Sequence, residues 1–281
     1  RRVFCASLAD VFEDWDGPLL TSKGDEWCHC QACDLPVEFC GTCHGCGRAD
    51  ANWARLLMDD VRRRLFKLID STPWLDWQLL TKRPENIRRM WPAIDAESAD
   101  MDVLLANHFR AVDERIAAGG TFNDPAKEHV AYERARSAGP HRPNVWLLTS
   151  VSDQATADAN IPAVLRCCDL APVRGISAEP LLGPIDLSHY LPKTPKADCP
   201  AEMLPYYNSI FPLGWVIVGG ESGPNRRDCG VEAIVNVVDQ CRAADVPCFV
   251  KQDCAAKSGQ QGRIPADVWA VKEFPIVEAV A

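Results

Sequence analysis

The chain has 281 residues, of which 47% are hydrophobic and 25% charged, a balance typical of a globular protein rather than of a disordered one. Its formal net charge of −9 argues against a surface devoted to nucleic acid or to anionic membranes, although a local basic pocket is compatible with it. No apolar run approaches the ~20 residues that span a bilayer, and cysteines spread through long buried-type strands and helices indicate reduced thiols, so we expect a cytoplasmic protein.

Six short apolar stretches recur along the chain, and most are followed by an amphipathic helical pattern. Near-continuous apolar character is typical of strands covered on both faces, and strands that alternate with helices predict βα units with a parallel sheet. Eight such units close a full barrel, so six predict an open or partial (β/α) barrel of TIM-like type, or a fuller barrel that lacks its first strand. The predicted strands are 3–7, 77–83, 145–154, 173–180, 215–223 and 248–253, and the predicted helices are roughly 52–70, 84–92, 155–168 and 230–244.

Three segments interrupt this alternation. They are a cysteine-rich insertion at about 15–50, a helical insertion at about 95–142, and a proline-rich segment at 191–214 that we expect to be an ordered loop. We therefore expect one barrel-type domain over 1–281 that carries the first two segments as insertions. Because the chain enters a strand directly at "RRVFCASLADVF", we also expect that an N-terminal part of the natural protein is missing here.

Polar residues end each predicted strand, and in parallel α/β folds these ends meet on the face that holds the ligand. The backbone amides of "GGESG" (219–223) can bind a carboxylate or phosphate, and the adjacent cations of "LTKRPE" (80–85) suit an anionic group. The first motif is equally typical of a tight turn, and the second of a helix start with Pro84 in its first turn. The candidate binding residues on this rim are Lys82, Arg83, Ser150, Glu179, Gly219, Gly220, Glu221 and Lys251.

The cysteine-rich segment has the spacing C-x-C-x2-C-x6-C-x2-C-x2-C, formed by Cys28, Cys30, Cys33, Cys40, Cys43 and Cys46. Two C-x2-C pairs separated by a short spacer are typical of four thiolates around one tetrahedral zinc ion. The favoured quartet is Cys30, Cys33, Cys43 and Cys46, although Cys40 could replace one member. Free or disulfide-paired cysteines are the alternative. The segment has few large apolar residues, so a metal would supply the folding energy that its own core cannot.

Six motifs in order carry a resemblance to a known family: "RRVFCASLADVF", "LDWQLLTKRPENI", "PNVWLLTSVSDQ", "ISAEPLLGPIDL", "WVIVGGESGPNRR" and "VPCFVKQ". Together they resemble a family of uncharacterised proteins from phages and prophages that looks like radical SAM (β/α) barrel enzymes. The resemblance implies a 4Fe–4S cluster and S-adenosylmethionine. In that family the cluster ligands are three cysteines, spaced C-x6-C-x2-C and followed by tyrosine, in an N-terminal segment that is absent from these 281 residues.

Two departures from the family pattern bear on the site. Ser152 stands where the family often has an acidic residue, and the usual lysine–glutamine–tryptophan ending reads "KQD" here. Cys33, Cys40 and Cys43 also have the C-x6-C-x2-C spacing, but His44 follows where an aromatic ring is expected. We therefore interpret the segment as a structural zinc site, and we expect that the chain as given does not cleave S-adenosylmethionine.

The resemblance implies an enzyme whose substrate and reaction the residues do not specify. We expect Glu221 with Gly219 and Gly220, Glu179 and Ser150 to contact S-adenosylmethionine or substrate, and the cations Lys82, Arg83 and Lys251 to hold an anionic part of the substrate. The rival interpretation is a non-catalytic, zinc-containing phage protein that binds a protein or nucleic-acid partner through the cysteine-rich insertion. Acidic residues outnumber basic ones around that insertion, so nucleic acid is the less expected partner.

Overall fold

A computed structural model describes residues 2–5, 10–17, 19, 27–30, 36–38, 53–92, 141–192 and 212–276. The chain divides into two compact units: the first comprises Arg1–Phe12 and Pro73–Ala281, and the second Glu13–Thr72. The helical insertion at 95–142 lies almost entirely outside the described residues, as do most of the segments 15–50 and 191–214. Our expectations for these three segments therefore stay predictions.

The described residues form nine strands and five α-helices. The strands are β1 (Arg2–Cys5), β2 (Trp27–Cys30), β3 (Pro36–Glu38), β4 (Trp53–Arg55), β5 (Asp76–Thr81), β6 (Val145–Val151), β7 (Val173–Ala178), β8 (Trp215–Gly219) and β9 (Cys248–Gln252). The helices are α1 (Met58–Asp70), α2 (Ile87–Met90), α3 (Gln154–Leu165), α4 (Val231–Ala243) and α5 (Ala266–Trp269), with a 3₁₀ turn at Pro84–Asn86. None of these helices is long and apolar enough to cross a membrane.

The first unit is built on a six-stranded, all-parallel sheet in the order β1-β5-β6-β7-β8-β9. The predicted parallel α/β arrangement is therefore confirmed, and in the described part of the chain the sheet is open, with β1 and β9 at its edges. Several predicted strands end earlier than expected because their polar ends leave the sheet. Asp153, for example, follows β6 and caps α3, where its Oδ1 accepts a 2.8 Å hydrogen bond from the backbone N–H of Thr156.

One face of this sheet changes from aromatic to polar along the strands. A buried cluster covers its middle, formed by Trp146, Leu148, Val173, Trp215 and Ile217. The rings of Trp146 and Trp215 meet edge to face with centroids 5.4 Å apart. Because side chains alternate between the two faces of a strand, the next position on this face after Leu148 is Ser150, and the one after Phe249 is Lys251. Polar groups thus lie at the carboxyl edge of the sheet, next to the buried cluster that contains Trp146 and Trp215.

Helices α3 and α4 cover strands of the sheet, with α3 against β6 and β7, and α4 against β8 and β9. A buried ion pair joins the short helix α2 to the turn that follows α3. Arg88 Nη2 lies 2.6 Å from Asp169 Oδ1 and Nη1 lies 3.0 Å from Oδ2, while Nη2 also donates to the Arg166 carbonyl at 2.8 Å. The Asp169 side chain is only 1% exposed, so the hydrogen bonds from Arg88 offset the cost of burying this carboxylate.

The second unit contains a three-stranded antiparallel sheet in the order β3-β2-β4, and helix α1. The helix predicted at 52–70 is wrong at its start, because Trp53–Arg55 pairs with β2 and the helix begins at Met58. Its first turn is fixed by Asp60, whose Oδ2 accepts a 2.9 Å hydrogen bond from the backbone N–H of Leu57. Acidic residues in that turn also suit the positive end of the helix dipole.

Candidate functional site

A carboxylate and an ammonium meet at the carboxyl edge of the parallel sheet. Glu179 is the first residue after β7, and its Oε2 lies 2.8 Å from Nζ of Lys251 in β9. The Glu179 side chain is 14% exposed, whereas that of Lys251 is 41% exposed. The carboxylate of the pair is therefore largely buried, whereas the Lys251 ammonium is accessible to a ligand.

Gln252 orients this carboxylate; the sequence places it at the end of a predicted strand, but it was not among the candidate binding residues. Its Nε2 donates to Glu179 Oε1 at 3.0 Å and to the Gly220 carbonyl at 2.8 Å. Its Oε1 accepts from the Ser258 hydroxyl at 2.8 Å and from the Gly259 N–H at 2.9 Å. Two donated and two accepted bonds fix the orientation of this buried amide. The available signal in the sequence was its position next to Lys251, at the end of a predicted strand.

The two glycines at the end of β8 lie where the backbones of β8 and β9 approach closely. A Cβ on Gly219 would lie 3.1 Å from the Gln252 carbonyl oxygen, and one on Gly220 would lie 2.5 Å from Cys254 Sγ and 2.6 Å from its backbone nitrogen. The Gly220 N–H also donates to the Gln252 carbonyl at 2.9 Å. The glycines are thus required by the close approach of two backbones.

Glu221 pairs with Arg227, a partner that the sequence candidates did not include. The arginine side chain donates to both carboxylate oxygens, at 2.8 and 3.2 Å, and its backbone N–H donates to Oε2 at 2.8 Å. These hydrogen bonds lower the pKa of Glu221 to about 2. Glu221 therefore stays ionised, and it holds the loop 221–227 closed on itself.

The remaining rim candidates lie at the ends of β5 and β6. Lys82 and Arg83 follow β5 and are exposed, and Ser150 is half-buried near the end of β6. Asp10, a polar residue after the first predicted strand that was not among the candidate binding residues, binds the end of β5: its Oδ1 accepts from Thr81 Oγ1 and its Oδ2 from the Lys82 N–H, both at 2.7 Å. Asp10 Oδ1 also accepts from the Phe12 N–H at 3.0 Å, so it links residues 10–12 to the end of β5.

Two thiols and a carboxylate meet just after β9. Ligand atoms of Cys229, Asp253 and Cys254 lie within 4.8 Å of one another, so that this group of described residues could hold a metal ion. The Sγ atoms of Cys229 and Cys254 lie 3.0 Å apart. Because Cys229 and Cys254 are 25 positions apart, no local sequence pattern predicts that they meet.

Arg263 neutralises the buried Asp253. Its guanidinium donates to both carboxylate oxygens, at 2.8 and 3.0 Å, and its backbone N–H donates to Oδ2 at 2.7 Å. The Asp253 side chain is 2% exposed, and the hydrogen bonds from Arg263 lower its pKa to about 2. The same arginine also binds Asp228 at 2.7 Å, so one cation joins the loop before α4 to the loop after β9.

The free energy of unfolding should depend on the ionisation of Asp253 in acid. Its folded pKa of about 2 lies below the value of ~3.9 in an unfolded chain, so the stabilisation is complete above pH ~4 and is lost as pH falls toward 2. The wild-type free energy of unfolding should fall between pH 5 and pH 2, and in Asp253→Asn this fall should be smaller by on the order of 2 kcal/mol. Urea unfolding of both proteins across that range measures it. Arg263→Gln should have the same effect, and an unchanged pH dependence in both variants would refute the assignment.

The structure does not describe the side chains of the six cysteines in the predicted zinc segment. Cys28 and Cys30 belong to β2, which pairs with β3 and β4, and only the backbone of these strands is described. The side chains of Cys33, Cys40, Cys43 and Cys46 fall in undescribed positions. Zinc binding by this segment therefore stays a prediction.

Together, these features define an α/β protein with an all-parallel sheet and a charged, hydrogen-bonded site at its carboxyl edge. Residues 46–267, well over half of the chain, match the family described as "Protein of unknown function (DUF5131)", and the chain belongs to this family. No curated protein and no solved structure matches the chain.

Proposed function

We propose that this chain is the barrel part of a radical SAM-type enzyme, of phage or prophage origin, and that its carboxyl-edge site binds S-adenosylmethionine. The observation that carries the proposal is the ion pair of Glu179 and Lys251 at the edge where parallel α/β proteins bind ligands. The strand order supports a barrel-type sheet. Each strand of this sheet lies beside the sheet strand that follows it in the chain, whereas the strand order of a doubly wound sheet reverses direction at its switch point.

The Glu179–Lys251 pair is complementary to the amino-acid end of S-adenosylmethionine. A ligand with an ammonium and a carboxylate can insert between the two side chains, its ammonium bound by Glu179 and its carboxylate by Lys251. Gln252 keeps Glu179 Oε1 in place during this exchange, because the amide is held by four hydrogen bonds. The ligand thus meets a carboxylate whose position is set before binding.

The other rim residues offer complementary groups. Glu221 is fixed by Arg227, and its Oε1 accepts a single described bond, which leaves acceptor capacity for a ribose hydroxyl. Lys82 and Arg83 are exposed cations after β5, suited to an anionic part of a second substrate, and Ser150 offers a hydroxyl between them and Glu179. The substrate is a small molecule or a modified group that carries this negative charge.

A 4Fe–4S cluster, when bound, would supply the electron for reductive cleavage of S-adenosylmethionine to 5′-deoxyadenosine and methionine. Such a cluster needs three thiolates from the protein when its fourth iron binds the ligand. Among the described residues the thiols at this edge are Cys229 and Cys254, two rather than three. The described thiols at this edge do not fit a 4Fe–4S cluster. We therefore propose that the cluster ligands lie outside the described residues, as the resemblance implies.

Binding of S-adenosylmethionine to the 281-residue chain tests the proposal. Glu179→Gln and Lys251→Met should each weaken binding about ten- to hundredfold in calorimetry, because each removes a charged hydrogen bond of about 1.5–3 kcal/mol. The matched control is Lys67→Met, in the last turn of α1 in the second unit, which should bind as the wild type does.

A second readout concerns the chemistry itself. The 281-residue chain, treated anaerobically with iron and sulfide and reduced with dithionite, should form no 5′-deoxyadenosine, because the described residues at this edge do not supply the three thiolates that a cluster needs. A chain that binds zinc in segment 28–46 but shows no affinity for S-adenosylmethionine would contradict the proposal. That result would favour the rival function, a non-catalytic zinc protein that binds a partner.

A further inference from the structure

We propose that Cys229 and Cys254 form a reversible disulfide by thiol–disulfide exchange with a small-molecule disulfide. The bond would join the segment before α4 to the end of β9 and would close the loop that carries Glu221 and Arg227. This inference does not depend on radical SAM chemistry.

The two sulfurs are already in contact. Their Sγ atoms lie 3.0 Å apart, and a disulfide needs about 2.05 Å, so bond formation requires an approach of about 1 Å. Both residues lie beside a hydrogen-bonded frame: Arg263 binds Asp253, Asp228 and the Cys229 carbonyl. This frame holds the two backbone segments together whether or not the sulfurs are bonded.

A metal ion is the competing occupant, and the state of Asp253 argues against it. Its Oδ1 accepts from the Cys254 N–H at 2.6 Å and from Arg263 Nη2 at 2.8 Å. Its Oδ2 accepts from the Arg263 N–H at 2.7 Å and from Arg263 Nε at 3.0 Å. Four donors fill the four lone-pair sites of the carboxylate, and the adjacent guanidinium repels a cation. Two thiols remain, too few for a closed zinc site.

The surroundings assign different roles to the two thiols. Cys254 is half-buried, and its Sγ accepts a 3.1 Å hydrogen bond from the Cys229 N–H. Cys229 is buried, and this burial, together with its hydrogen bond with Cys254, raises its pKa to about 12. Cys254 is therefore the thiol that an outside disulfide can reach, and Cys229 is the thiol that resolves the mixed disulfide.

The exchange balances in two steps. Cys254 loses its proton to water and attacks one sulfur of oxidised glutathione, forming a mixed disulfide and releasing one glutathione thiolate. Cys229 then loses its proton to water and attacks Cys254 Sγ, which forms the internal disulfide and releases the second glutathione. The protein is oxidised by two electrons, and oxidised glutathione is reduced to two molecules of glutathione.

The experiment treats the whole chain with oxidised glutathione, alkylates the remaining thiols and maps the peptides by mass spectrometry. We expect a Cys229–Cys254 cross-link that disappears after dithiothreitol. The matched control within the same chain is Cys241 and Cys248, a second pair of buried thiols in hydrogen-bond contact, which should stay reduced because the oxidant cannot reach them.

Two variants separate the roles of the thiols. Cys229→Ser should stop at a glutathione adduct on Cys254, and Cys254→Ser should leave Cys229 unmodified; circular dichroism verifies that both variants are folded. The proposal is overturned if both thiols remain free at oxidant concentrations that modify an exposed thiol. It is also overturned if Cys254 pairs with another cysteine, or if Cys254→Ser loses one equivalent of bound zinc.

Discussion

Asp169→Ala should lower the free energy of unfolding by about 3–5 kcal/mol, because it removes the buried carboxylate that binds the partly buried Arg88 guanidinium. The carboxylate receives two hydrogen bonds from Arg88, at 2.6 and 3.0 Å, and is 1% exposed. Chemical denaturation of both proteins in the same buffer measures the loss.

The control for this variant is Asp239→Ala on the surface of α4. Asp239 lies 3.6 Å from Arg242, but both side chains are about half exposed or more, so its loss should change stability by no more than about 0.5 kcal/mol. The double variant Arg88→Met with Asp169→Leu should recover much of the loss, since it removes both charges together. Equal effects of the two aspartate variants would contradict the assignment of a buried pair.

Gly175→Ala should destabilise the first unit by about 2–3 kcal/mol, because strand β7 has no room for a methyl group at this position. A Cβ on Gly175 would lie 2.5 Å from the carbonyl oxygen of Trp215 in β8 and 2.8 Å from Leu148 Cδ2 in β6. The first contact is with backbone, so relief requires β7 and β8 to separate. Thermal and denaturant unfolding, with near-UV circular dichroism for Trp146 and Trp215, would detect this.

The matched control is Gly214→Ala, one residue before β8. The Gly214 N–H donates to the Arg174 carbonyl at 2.8 Å, so the position belongs to the same strand pair. There a Cβ would meet its nearest atom at 3.6 Å, an ordinary contact. Its effect should be neutral, or stabilising by about 0.4–1 kcal/mol through the unfolded chain. If Gly175→Ala is as stable as Gly214→Ala, the close approach of β7 and β8 is refuted.

The local sequence pattern was sufficient to predict the parallel sheet and several residues at its carboxyl edge. The apolar runs around Leu147 and Ile176 are long enough for buried strands and are separated by a helix, and this alternation favours parallel pairing. Residues such as Glu179 and Lys251 could be placed at the carboxyl edge because polar residues that follow an apolar run mark the end of a strand. These inferences need only the order of residues along short segments.

The partners within the site depended on the tertiary structure. Glu179 meets Lys251 and Gln252 across β8, and this contact requires the strand order that places β8 between β7 and β9. The start of α1 was misplaced for a similar reason, since Trp53–Arg55 forms a strand only because β2 is available to pair with it. The facing thiols of Cys229 and Cys254 likewise come from two loops that Arg263 joins. Contacts between distant residues depend on register and packing, which no local pattern encodes.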